Sequence, residues 1–309
     1  MAASRGSVKV RVDDHVLTLS NLDKVLYPEV GFTKGEVIDY YTRIAHVLLP
    51  HITDRPLTRK RWPDGVGKEP FFEKNAPKGT PSWVRTVVVP SPGSSRGTEE
   101  VEYVVVDQLA TLVWLANLAA LELHVPQWRV GPRGGIRHPD LLVIDLDPGP
   151  PADLVACCEV ALLLRDMLAE DGLRAWPKTS GMKGMQLYVP LVETPGDATT
   201  AYAKGLAEQL ARAYPSRVVA SMSKALRPGK VFLDWSQNNP AKTTIAPYSL
   251  RGNVRPTVST PLAWEEVEEC QAAADLTFEP HEVLDRVSEH GDLFLEGGTE
   301  PQRLPGTRR

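Results

Sequence analysis

The chain has 309 residues, is 42% hydrophobic and 24% charged, and carries a formal net charge of −4, a composition that excludes a disordered or fibrous chain. It contains no run of about 18 apolar residues, which argues against a membrane-spanning helix, and its start lacks the apolar stretch of a signal peptide, so we expect a cytoplasmic protein of bacterial type. The cysteines form no CxxC pair, which argues against a zinc site or a disulfide framework.

The first part of the chain is predicted to combine long helices with several strands. Residues 33–49 place apolar side chains at helical spacing, and Thr33 and Glu36 stand in the register of a capping box. Further along, the pattern predicts strands at 56–62, 83–89 and 101–106, a mobile hairpin loop at 91–97, and a buried helix at 107–123.

The second part is predicted to follow the order β-α-β-β-α-β, which is the ferredoxin-like or split β-α-β pattern. Two short helices and a disordered tail are predicted after it. These elements are a strand at 141–146, a helix at 152–170, strands at 173–177 and 185–191, a helix at 199–214, a strand at 230–235, helices at 264–274 and 281–289, and a tail at 291–309 that is disordered from 297 onward.

Two carboxylates lie at the end of the first strand of this pattern. Asp145 and Asp147 are two residues apart in Leu-Leu-Val-Ile-Asp-Leu-Asp-Pro-Gly, and because side chains of a strand alternate between faces, both would share one face. Mg²⁺ and Mn²⁺ prefer hard oxygen ligands, and two such ions can clamp the attacking and leaving oxygens of a phosphoryl transfer. The alternative is an Asp-Pro-Gly turn that ends the strand and caps the next helix.

A third carboxylate and a glycine-containing loop could complete such a site. Asp234 follows an apolar run, and a buried aspartate needs a partner, which could be a metal ion or an ion pair with Lys230 or Arg227. The loop at 180–186, Ser-Gly-Met-Lys-Gly-Met-Gln, offers backbone N–H groups, a hydroxyl and a lysine to a triphosphate. It lacks the spacing of a P-loop, and a plain hairpin loop is the alternative.

Basic residues next to aromatic ones suggest contacts with nucleic acid. Phe71 and Phe72, and the Arg-Lys-Arg-Trp segment at 59–62, fit a surface on which bases stack and phosphates are neutralised. Burial of the two phenylalanines in a core is the alternative. A further polar set stands at a turn and at a helix start, where an anion is favoured. The members of this set are Asn21, Lys24 and Lys34.

Nearly the whole chain resembles the polymerase domain of bacterial DNA ligase D and its stand-alone relatives, within the archaeo-eukaryotic primase superfamily. The resemblance implies an α+β primase fold in a single catalytic domain, residues 1–309, in which an N-terminal module at 1–125 packs on an RRM-like, ferredoxin-like catalytic module at 126–290. It rests on Asp23-Lys-Val-Leu-Tyr-Pro, Thr58-Arg-Lys-Arg-Trp-Pro, Phe71-Phe-Glu-Lys, His124-Val-Pro-Gln-Trp, Asp145-Leu-Asp-Pro-Gly, Thr179-Ser-Gly, Gly229-Lys-Val-Phe, Asp234-Trp-Ser-Gln-Asn and Lys242-Thr-Thr-Ile-Ala-Pro-Tyr-Ser-Leu-Arg.

The resemblance also implies an activity and a role for each site residue. The activity would be nucleotidyl transfer from an NTP or dNTP to a primer, with two Mn²⁺ or Mg²⁺ ions held by Asp145, Asp147 and Asp234. Phe71 and Phe72 would stack on the template. Asn21, Lys24 and Lys34 would bind the 5′-phosphate of a gap or break. The nucleotide pocket would be formed by Lys60, His124, Ser180, Lys183, Gln186, Arg227, Lys242 and Arg251.

The implied setting is bacterial DNA repair by non-homologous end joining. The partners would be DNA with a 5′-phosphorylated gap or break, a Ku-type end-binding protein and a DNA ligase, and the protein would be associated with the nucleoid. Within the 309 residues we find neither a ligase lysine motif nor a phosphoesterase histidine cluster, so we expect polymerase chemistry alone from this sequence.

At Gln186 the sequence departs from the SGxKGxH loop of the resembled family, in which the histidine meets the triphosphate. Glutamine donates a hydrogen bond but cannot become cationic, and the loss of charge assistance would weaken nucleotide binding by about 1 kcal/mol. One alternative function is therefore a DNA-end-binding synapsis module with weak or vestigial catalysis. A two-metal nuclease or phosphoesterase is another, because carboxylates alone do not distinguish hydrolysis from transfer.

Overall fold

The computed structural model describes residues 6–91, 99–296 and 300–306, which form seven α-helices and seventeen strands, in addition to short 3-10 turns. The helices are α1 (Lys34–Ile52), α2 (Leu109–Asn117), α3 (Leu154–Glu170), α4 (Gly196–Ala213), α5 (Trp264–Glu269), α6 (Pro280–His290) and α7 (Leu293–Glu296). The strands are β1 (Ser7–Val12), β2 (His15–Ser20), β3 (Val25–Tyr27), β4 (Phe32–Thr33), β5 (Pro56–Arg61), β6 (Phe71–Glu73), β7 (Thr86–Pro90), β8 (Glu100–Val105), β9 (Ala120–Val125), β10 (Trp128–Val130), β11 (Ile136–Pro139), β12 (Leu141–Pro148), β13 (Trp176–Thr179), β14 (Met185–Pro190), β15 (Val218–Val219), β16 (Val231–Leu233) and β17 (Thr244–Ile245).

The first large sheet has the strand order β17-β9-β5-β8-β7, with β6 paired to β5. Helix α1 packs on α2 beside this sheet, and its buried face, which includes Tyr40, Tyr41 and Ile44, belongs to the main hydrophobic core. The predicted capping box is confirmed: the Thr33 side chain accepts from the backbone N–H of Glu36, and the Glu36 carboxylate accepts from the backbone N–H of Thr33. The local sequence therefore fixes where this helix begins.

The prediction of one helix over 107–123 is wrong in its second half. Helix α2 ends at Asn117, and Ala119 takes a positive φ of 57°, after which the chain enters β9 between β5 and β17. Nearly all of β9 is buried, including Glu122 on one face and Leu121 and Leu123 on the other, and the residue pattern alone does not separate such a strand from a buried helix. The hairpin loop predicted at 91–97 lies, apart from Ser91, outside the described residues.

The second large sheet has the order β13-β14-β12-β16-β15. The strands β12, β13, β14 and β16 alternate with α3 and α4 in the predicted β-α-β-β-α-β order, and β12 is antiparallel to both of its neighbours. Leu142, Ile144 and Leu146 of β12 belong to the core that includes α3 and α4. The odd-numbered residues of β12 therefore point away from the helices, which leaves the opposite face of the sheet for the site.

The C-terminal part of the chain returns to the first sheet. Strand β17 pairs with β9, so that Thr244 lies opposite Val125 and Ile245 opposite His124. Ala246 and Tyr248 then join the core of the first sheet. The predicted two-module organisation, with a boundary at residue 125, does not include this return of the chain to the first sheet. The return depends on a strand pairing between segments about 120 residues apart in sequence.

Two residues of the predicted disordered tail, Phe294 and Gln302, are packed against the protein. Phe294 is buried beside Tyr188 and His51. Gln302 donates from its backbone N–H to the Pro190 carbonyl, and its side-chain amide bonds to both the N–H and the carbonyl of Arg174. Polar composition predicted disorder here, whereas this glutamine satisfies backbone groups beside the edge strand β13. Among the described helices, none is both long and apolar enough to cross a membrane.

Candidate active site

Asp145 and Asp147 lie side by side on the open face of β12. Both line a cleft of about 560 Å³. The alternative interpretation, in which this Asp-Pro-Gly segment caps the next helix, is wrong, because the cap of α3 is Asp153, whose carboxylate accepts from the N–H groups of Val155 and Ala156. The two strand aspartates are therefore directed at solvent-accessible space.

Asp145 is the more buried of the two and is held from the neighbouring strand. It lies opposite Gln186 in the register of β12 and β14, and the Gln186 amide Nε2 donates to Asp145 Oδ1 at 2.8 Å. Burial and the nearby Asp147 raise the pKa of Asp145 to about 7, while the hydrogen bond from Gln186 acts in the opposite direction. The site thus concentrates negative charge where solvation is poor.

Asp234 is placed next to this pair by the backbone. Its N–H donates to the Asp145 carbonyl at 2.9 Å. Its carboxylate accepts from the Ser236 hydroxyl at 2.5 Å and from the Gln237 amide at 3.0 Å, and its ion-pair partner is Lys242, at 3.8 Å. The alternative to metal ligation, an ion pair with Lys230 or Arg227, is not found among the ion pairs of the described residues.

The chemistry of the three aspartates fits a hard divalent cation. Burial and Asp234 raise the pKa of Asp147, so the carboxylates destabilise one another in a way that a cation would relieve. In the conformation described for residues 6–91, 99–296 and 300–306, no group of three or more His, Cys, Asp or Glu side chains converges as a metal site. The Asp234 carboxylate instead accepts hydrogen bonds from Ser236 and Gln237.

The loop at 180–186 passes close beneath the aspartates. Gly181 has a φ of +71°, which a side chain would strain, and a Cβ at Gly184 would stand 2.4 Å from the Leu146 carbonyl oxygen of β12. Ser180 Oγ accepts from the N–H of Gly184 at 3.2 Å, and the Lys183 ammonium donates to the Pro148 carbonyl at 3.2 Å. The glycines therefore let this loop lie directly against the strand that carries the carboxylates.

The structure brings most of the predicted nucleotide-binding residues to one place. A second cavity, of about 280 Å³, shares Asp147 and Lys183 with the cleft and is also lined by Lys224 and Arg227. Asp234 does not line the cleft but contacts Gln237, which does, and Lys242 pairs with Asp234. Lys60 lines neither of these two cavities. The cleft itself is lined by His124, Asp145, Asp147, Ser180, Met182, Lys183, Gln186, Gln237, Thr243, Thr244, Ile245, Arg251 and Asn253.

Two buried residues at the site were missed by sequence reasoning. Glu122 lies on β9, two residues before His124, and contacts three of the predicted nucleotide-binding side chains. Lys178 is fully buried on β13, where it donates to the Ser259 hydroxyl, and burial holds its pKa well below the usual value. The alternation Leu-Glu-Leu-His at 121–124 was the available signal for Glu122, but it was masked by the helix predicted there.

The residues predicted to contact DNA lie on the first sheet and at the start of α1. Phe71 and Phe72 of β6 are 54% and 48% exposed, so their burial in a core is ruled out. Strand β6 pairs with β5, which sets Phe72 opposite Lys60. Two large aromatic side chains in solvent are costly unless they serve a binding surface.

The predicted 5′-phosphate set is assembled by backbone hydrogen bonds. The N–H of Lys24 donates to the Asn21 carbonyl at 3.0 Å, and the N–H of Lys34 donates to the Lys24 carbonyl at 2.8 Å. The Lys24 ammonium pairs with Asp64 at 3.0 Å, and the buried Lys34 ammonium donates to the Ser20 carbonyl at 2.6 Å. The turn and the helix start are therefore one structural unit with two lysines.

Comparisons with known proteins agree on one family. The family model described as "LigD, primase-polymerase domain" matches residues 33–294. The chain is 47% identical over 280 residues to the multifunctional non-homologous end joining protein LigD of Mycolicibacterium smegmatis, and 34% identical over 291 residues to the bifunctional LigD protein of Bacillus subtilis. These matches cover 89% and 94% of this chain.

A solved structure supports the same relationship. The polymerase domain from Mycobacterium tuberculosis ligase D, in complex with DNA, matches with a TM-score of 0.85 and 44% sequence identity, over 91% of this chain and 97% of that one. The present chain spans 35% of the length of the M. smegmatis protein and 45% of the B. subtilis protein. The similarity therefore concerns one domain of those larger proteins.

Proposed function

Because the chain belongs to the LigD primase-polymerase domain family, we propose that it is a nucleotidyltransferase that extends a primer strand at gaps or double-strand breaks in DNA. The observation that carries this proposal is the cleft in which Asp145 and Asp147 face the loop of Ser180 and Lys183. Carboxylates alone would equally suit hydrolysis. Lys183 and Arg251 line the same cleft, and Lys224 and Arg227 line a second cavity beside Asp147, and these four cationic side chains favour a substrate with several phosphates.

Two Mn²⁺ or Mg²⁺ ions are part of the proposal. Asp145, Asp147 and Asp234 would hold them, with Asp234 released from Ser236 and Gln237 to do so. When bound, such ions lower the cost of the negative charge that develops on the attacking and leaving oxygens of nucleotidyl transfer.

The cationic side chains of the two cavities would hold the triphosphate. In the reaction the primer 3′-oxygen forms a bond to the α-phosphorus, the bond from that phosphorus to the β-phosphate oxygen breaks, and pyrophosphate leaves. Lys183 and Arg227 lie along the cavity that continues from Asp147, where they would neutralise the charge of the leaving pyrophosphate. Ser180 would bind a phosphate oxygen through its hydroxyl. Lys242 would join them after leaving Asp234.

DNA would lie across the first sheet. Phe71 and Phe72 would stack on template bases, and Lys24 and Lys34, with Asn21, would bind the 5′-phosphate on the far side of a gap. The two relatives, from M. smegmatis and B. subtilis, are non-homologous end joining proteins. We therefore include a Ku-type end-binding protein, a DNA ligase and association with the bacterial nucleoid in the proposal.

Extension of a primer across a 5′-phosphorylated gap, with each metal and with NTPs or dNTPs in turn, tests the proposed activity. We expect incorporation by the wild-type chain and none by the Asp145→Asn, Asp147→Asn double variant. Both should bind the gapped duplex with affinities within about threefold of each other, because the proposed DNA contacts lie elsewhere. Incorporation that survives in the double variant would refute the assignment of the aspartates. Shortening of the labelled primer without added nucleotide would favour a nuclease.

A synapsis module with weak catalysis is the second candidate, and the contact between Gln186 and Asp145 favours it. A glutamine amide that occupies Asp145 Oδ1 competes with any ligand of that oxygen and brings no positive charge to the triphosphate. If this candidate is right, the wild-type protein binds phosphorylated ends but incorporates nucleotide slowly, and Gln186→His accelerates incorporation about tenfold, which corresponds to about 1.4 kcal/mol. An unchanged rate would argue against it.

A further inference from the structure

Glu122 is a buried carboxylate at the centre of a cluster of cationic side chains. It is 1% exposed. Its Oε2 accepts from His124 Nε2 at 2.8 Å and lies 3.4 Å from the Lys60 ammonium. Its Oε1 lies 3.3 Å from Arg251 Nε and accepts from the backbone N–H of Gly252 at 3.1 Å. One carboxylate thus joins three side chains that come from β5, β9 and the segment after β17.

The register of the sheet creates this cluster. Lys60 lies directly opposite Glu122 in the pairing of β5 and β9, and Thr58 lies opposite His124. Glu122 and His124 are two residues apart and therefore project from the same face of β9. His124 and Arg251 line the cleft that also holds the aspartates. Glu122 itself is absent from the lining of that cleft, so it acts on the cleft through its partners.

The contacts determine which nitrogen of His124 carries the proton. The neighbouring His124, Arg251 and Lys60 hold the pKa of Glu122 at about 2, so the carboxylate is ionised and can only accept hydrogen bonds. Nε2 of His124 must therefore be the protonated nitrogen. Burial lowers the pKa of His124, which favours the neutral ring. Nδ1 then keeps a free lone pair, and it has no hydrogen-bond partner among the residues that the structure describes.

We propose that Glu122 is a positioning residue that holds His124 and Arg251 in the wall of the nucleotide cleft, pairs with Lys60 outside that wall, and presents His124 Nδ1 as a hydrogen-bond acceptor. An acceptor repels phosphate oxygens, which carry no hydrogen, and it binds a hydroxyl. His124 therefore accepts from a sugar hydroxyl of the nucleotide, and Arg251 supplies the positive charge in the cleft wall. The contact between His124 and a sugar hydroxyl rests on the proposed function. Which nitrogen of the His124 ring carries the proton can be measured whether or not the protein has polymerase activity.

The ring is tested first, by ¹⁵N NMR of the full chain labelled at histidine, with the His124 signals identified by their loss in His124→Asn. We expect a neutral ring protonated at Nε2 in the wild-type protein and a loss of this preference in Glu122→Gln. A wild-type ring that is protonated at Nδ1 overturns the proposal. This outcome does not depend on whether the protein polymerises, nor on whether Glu122→Gln folds.

Nucleotide recognition is tested by calorimetry with ATP, 2′-deoxy-ATP and 3′-deoxy-ATP and Mg²⁺, without DNA, so that no turnover occurs. We expect the wild-type protein to bind ATP about tenfold more tightly than one of the two deoxynucleotides. That deoxynucleotide lacks the hydroxyl that donates to His124 Nδ1, and the loss of one hydrogen bond to a buried acceptor lowers affinity by about this factor. In Glu122→Gln, affinity for ATP should fall about tenfold and the preference should shrink below about threefold, because Lys60, His124 and Arg251 lose their common anchor.

Two further variants separate positioning from stability. Glu122→Asp keeps the charge and should recover part of the ATP affinity and of the preference. Glu266→Gln removes a carboxylate that pairs with Arg286 at 2.6 Å on another part of the protein, and it should leave ATP binding unchanged. An ATP affinity in folded Glu122→Gln that is equal to or higher than that of the wild type overturns the proposal, as does equal binding of all three nucleotides by the wild-type protein.

Discussion

Lys34 is an unusual lysine, since it is the first residue of α1 and only 5% exposed. Burial, followed by the nearby charges of Lys24 and Arg61, lowers the pKa of its ammonium to about 8. The side chain is therefore charged below that pH and neutral above it, whereas an ordinary lysine remains charged to about pH 10. The proposed 5′-phosphate pocket thus contains a group whose charge depends on pH in the mildly alkaline range.

This pKa predicts that recognition of a 5′-phosphate weakens in mildly alkaline solution. The ratio of affinities for 5′-phosphate and 5′-hydroxyl gapped duplexes should fall about tenfold as pH rises from about 7 to about 10, because the loss of one charge-assisted contact is worth about 1.4 kcal/mol. A bound phosphate stabilises the ammonium, so the midpoint should lie at or above pH 8. Lys34→Arg, which stays charged throughout, should flatten the profile. A wild-type ratio that does not change with pH would exclude Lys34 from phosphate binding.

At the scale of single elements, the loop at 180–186 and strand β12 behave as one unit because their backbones nearly touch. Gly184→Ala would place a Cβ 2.4 Å from the Leu146 carbonyl oxygen, so loop or strand must shift. We expect a loss of about 1–3 kcal/mol in the free energy of unfolding, together with lower incorporation.

Gly205→Ala is the matched control for this substitution. Gly205 lies inside α4, and a Cβ added there meets no atom within 4 Å. Replacement of a helical glycine by alanine in open space should raise the free energy of unfolding by about 0.5–1 kcal/mol. Urea unfolding monitored by tryptophan fluorescence measures both variants. A Gly184→Ala protein as stable as the wild type would show that the loop is not held against the strand.

Elements with strong local signals were predicted well from the sequence. Helix α1 was expected from its spacing and from the capping box at Thr33, and the β-α-β-β-α-β order fixed the second sheet. The end of α2 was not predicted, because it depends on the positive φ of Ala119 and on the burial of β9 on both faces. The packing of Gln302 on Arg174 and Pro190 was missed because a polar segment carries no periodic signal for it.

At the scale of the whole molecule, the net charge conceals how the charge is distributed. The chain is acidic overall, at −4, yet the second cavity brings together Lys183, Lys224 and Arg227. The proposed 5′-phosphate pocket adds Lys24 and Lys34. The field near each of these sites is set by the local cations, and a phosphate that approaches them meets positive potential.

Binding of gapped DNA should therefore weaken with salt in spite of the net negative charge. We expect at least about a tenfold loss of affinity between 50 and 200 mM salt, the loss that two neutralised phosphates predict. The double variant Lys24→Ala, Lys34→Ala should show a shallower salt slope. The same slope for the variant and the wild type, measured by fluorescence anisotropy, would place the phosphate contacts elsewhere.

Most of the candidate site could be predicted from the sequence because its side chains occur in short motifs. Asp145 and Asp147 share one strand, and Ser180 and Lys183 share one loop. Glu122 could not be assigned in the same way, since its partners come from β5 and from a segment that follows β17 and is 129 residues further along the chain. The burial of Glu122 and its ion pairs depend on contacts between distant segments of the chain, and no short sequence motif predicts such contacts.

The pairing of β17 with β9 has a consequence for synthesis of the protein. During translation β9 is synthesised long before Thr244 and Ile245. Until these two residues are present, the backbone N–H and C=O groups of β9 that pair with β17 have no partner from that strand. A truncated chain that lacks β17 would leave this edge of a largely buried strand open, and an open strand edge can pair with other chains. In the folded protein the two residues of β17 pair with this edge of β9.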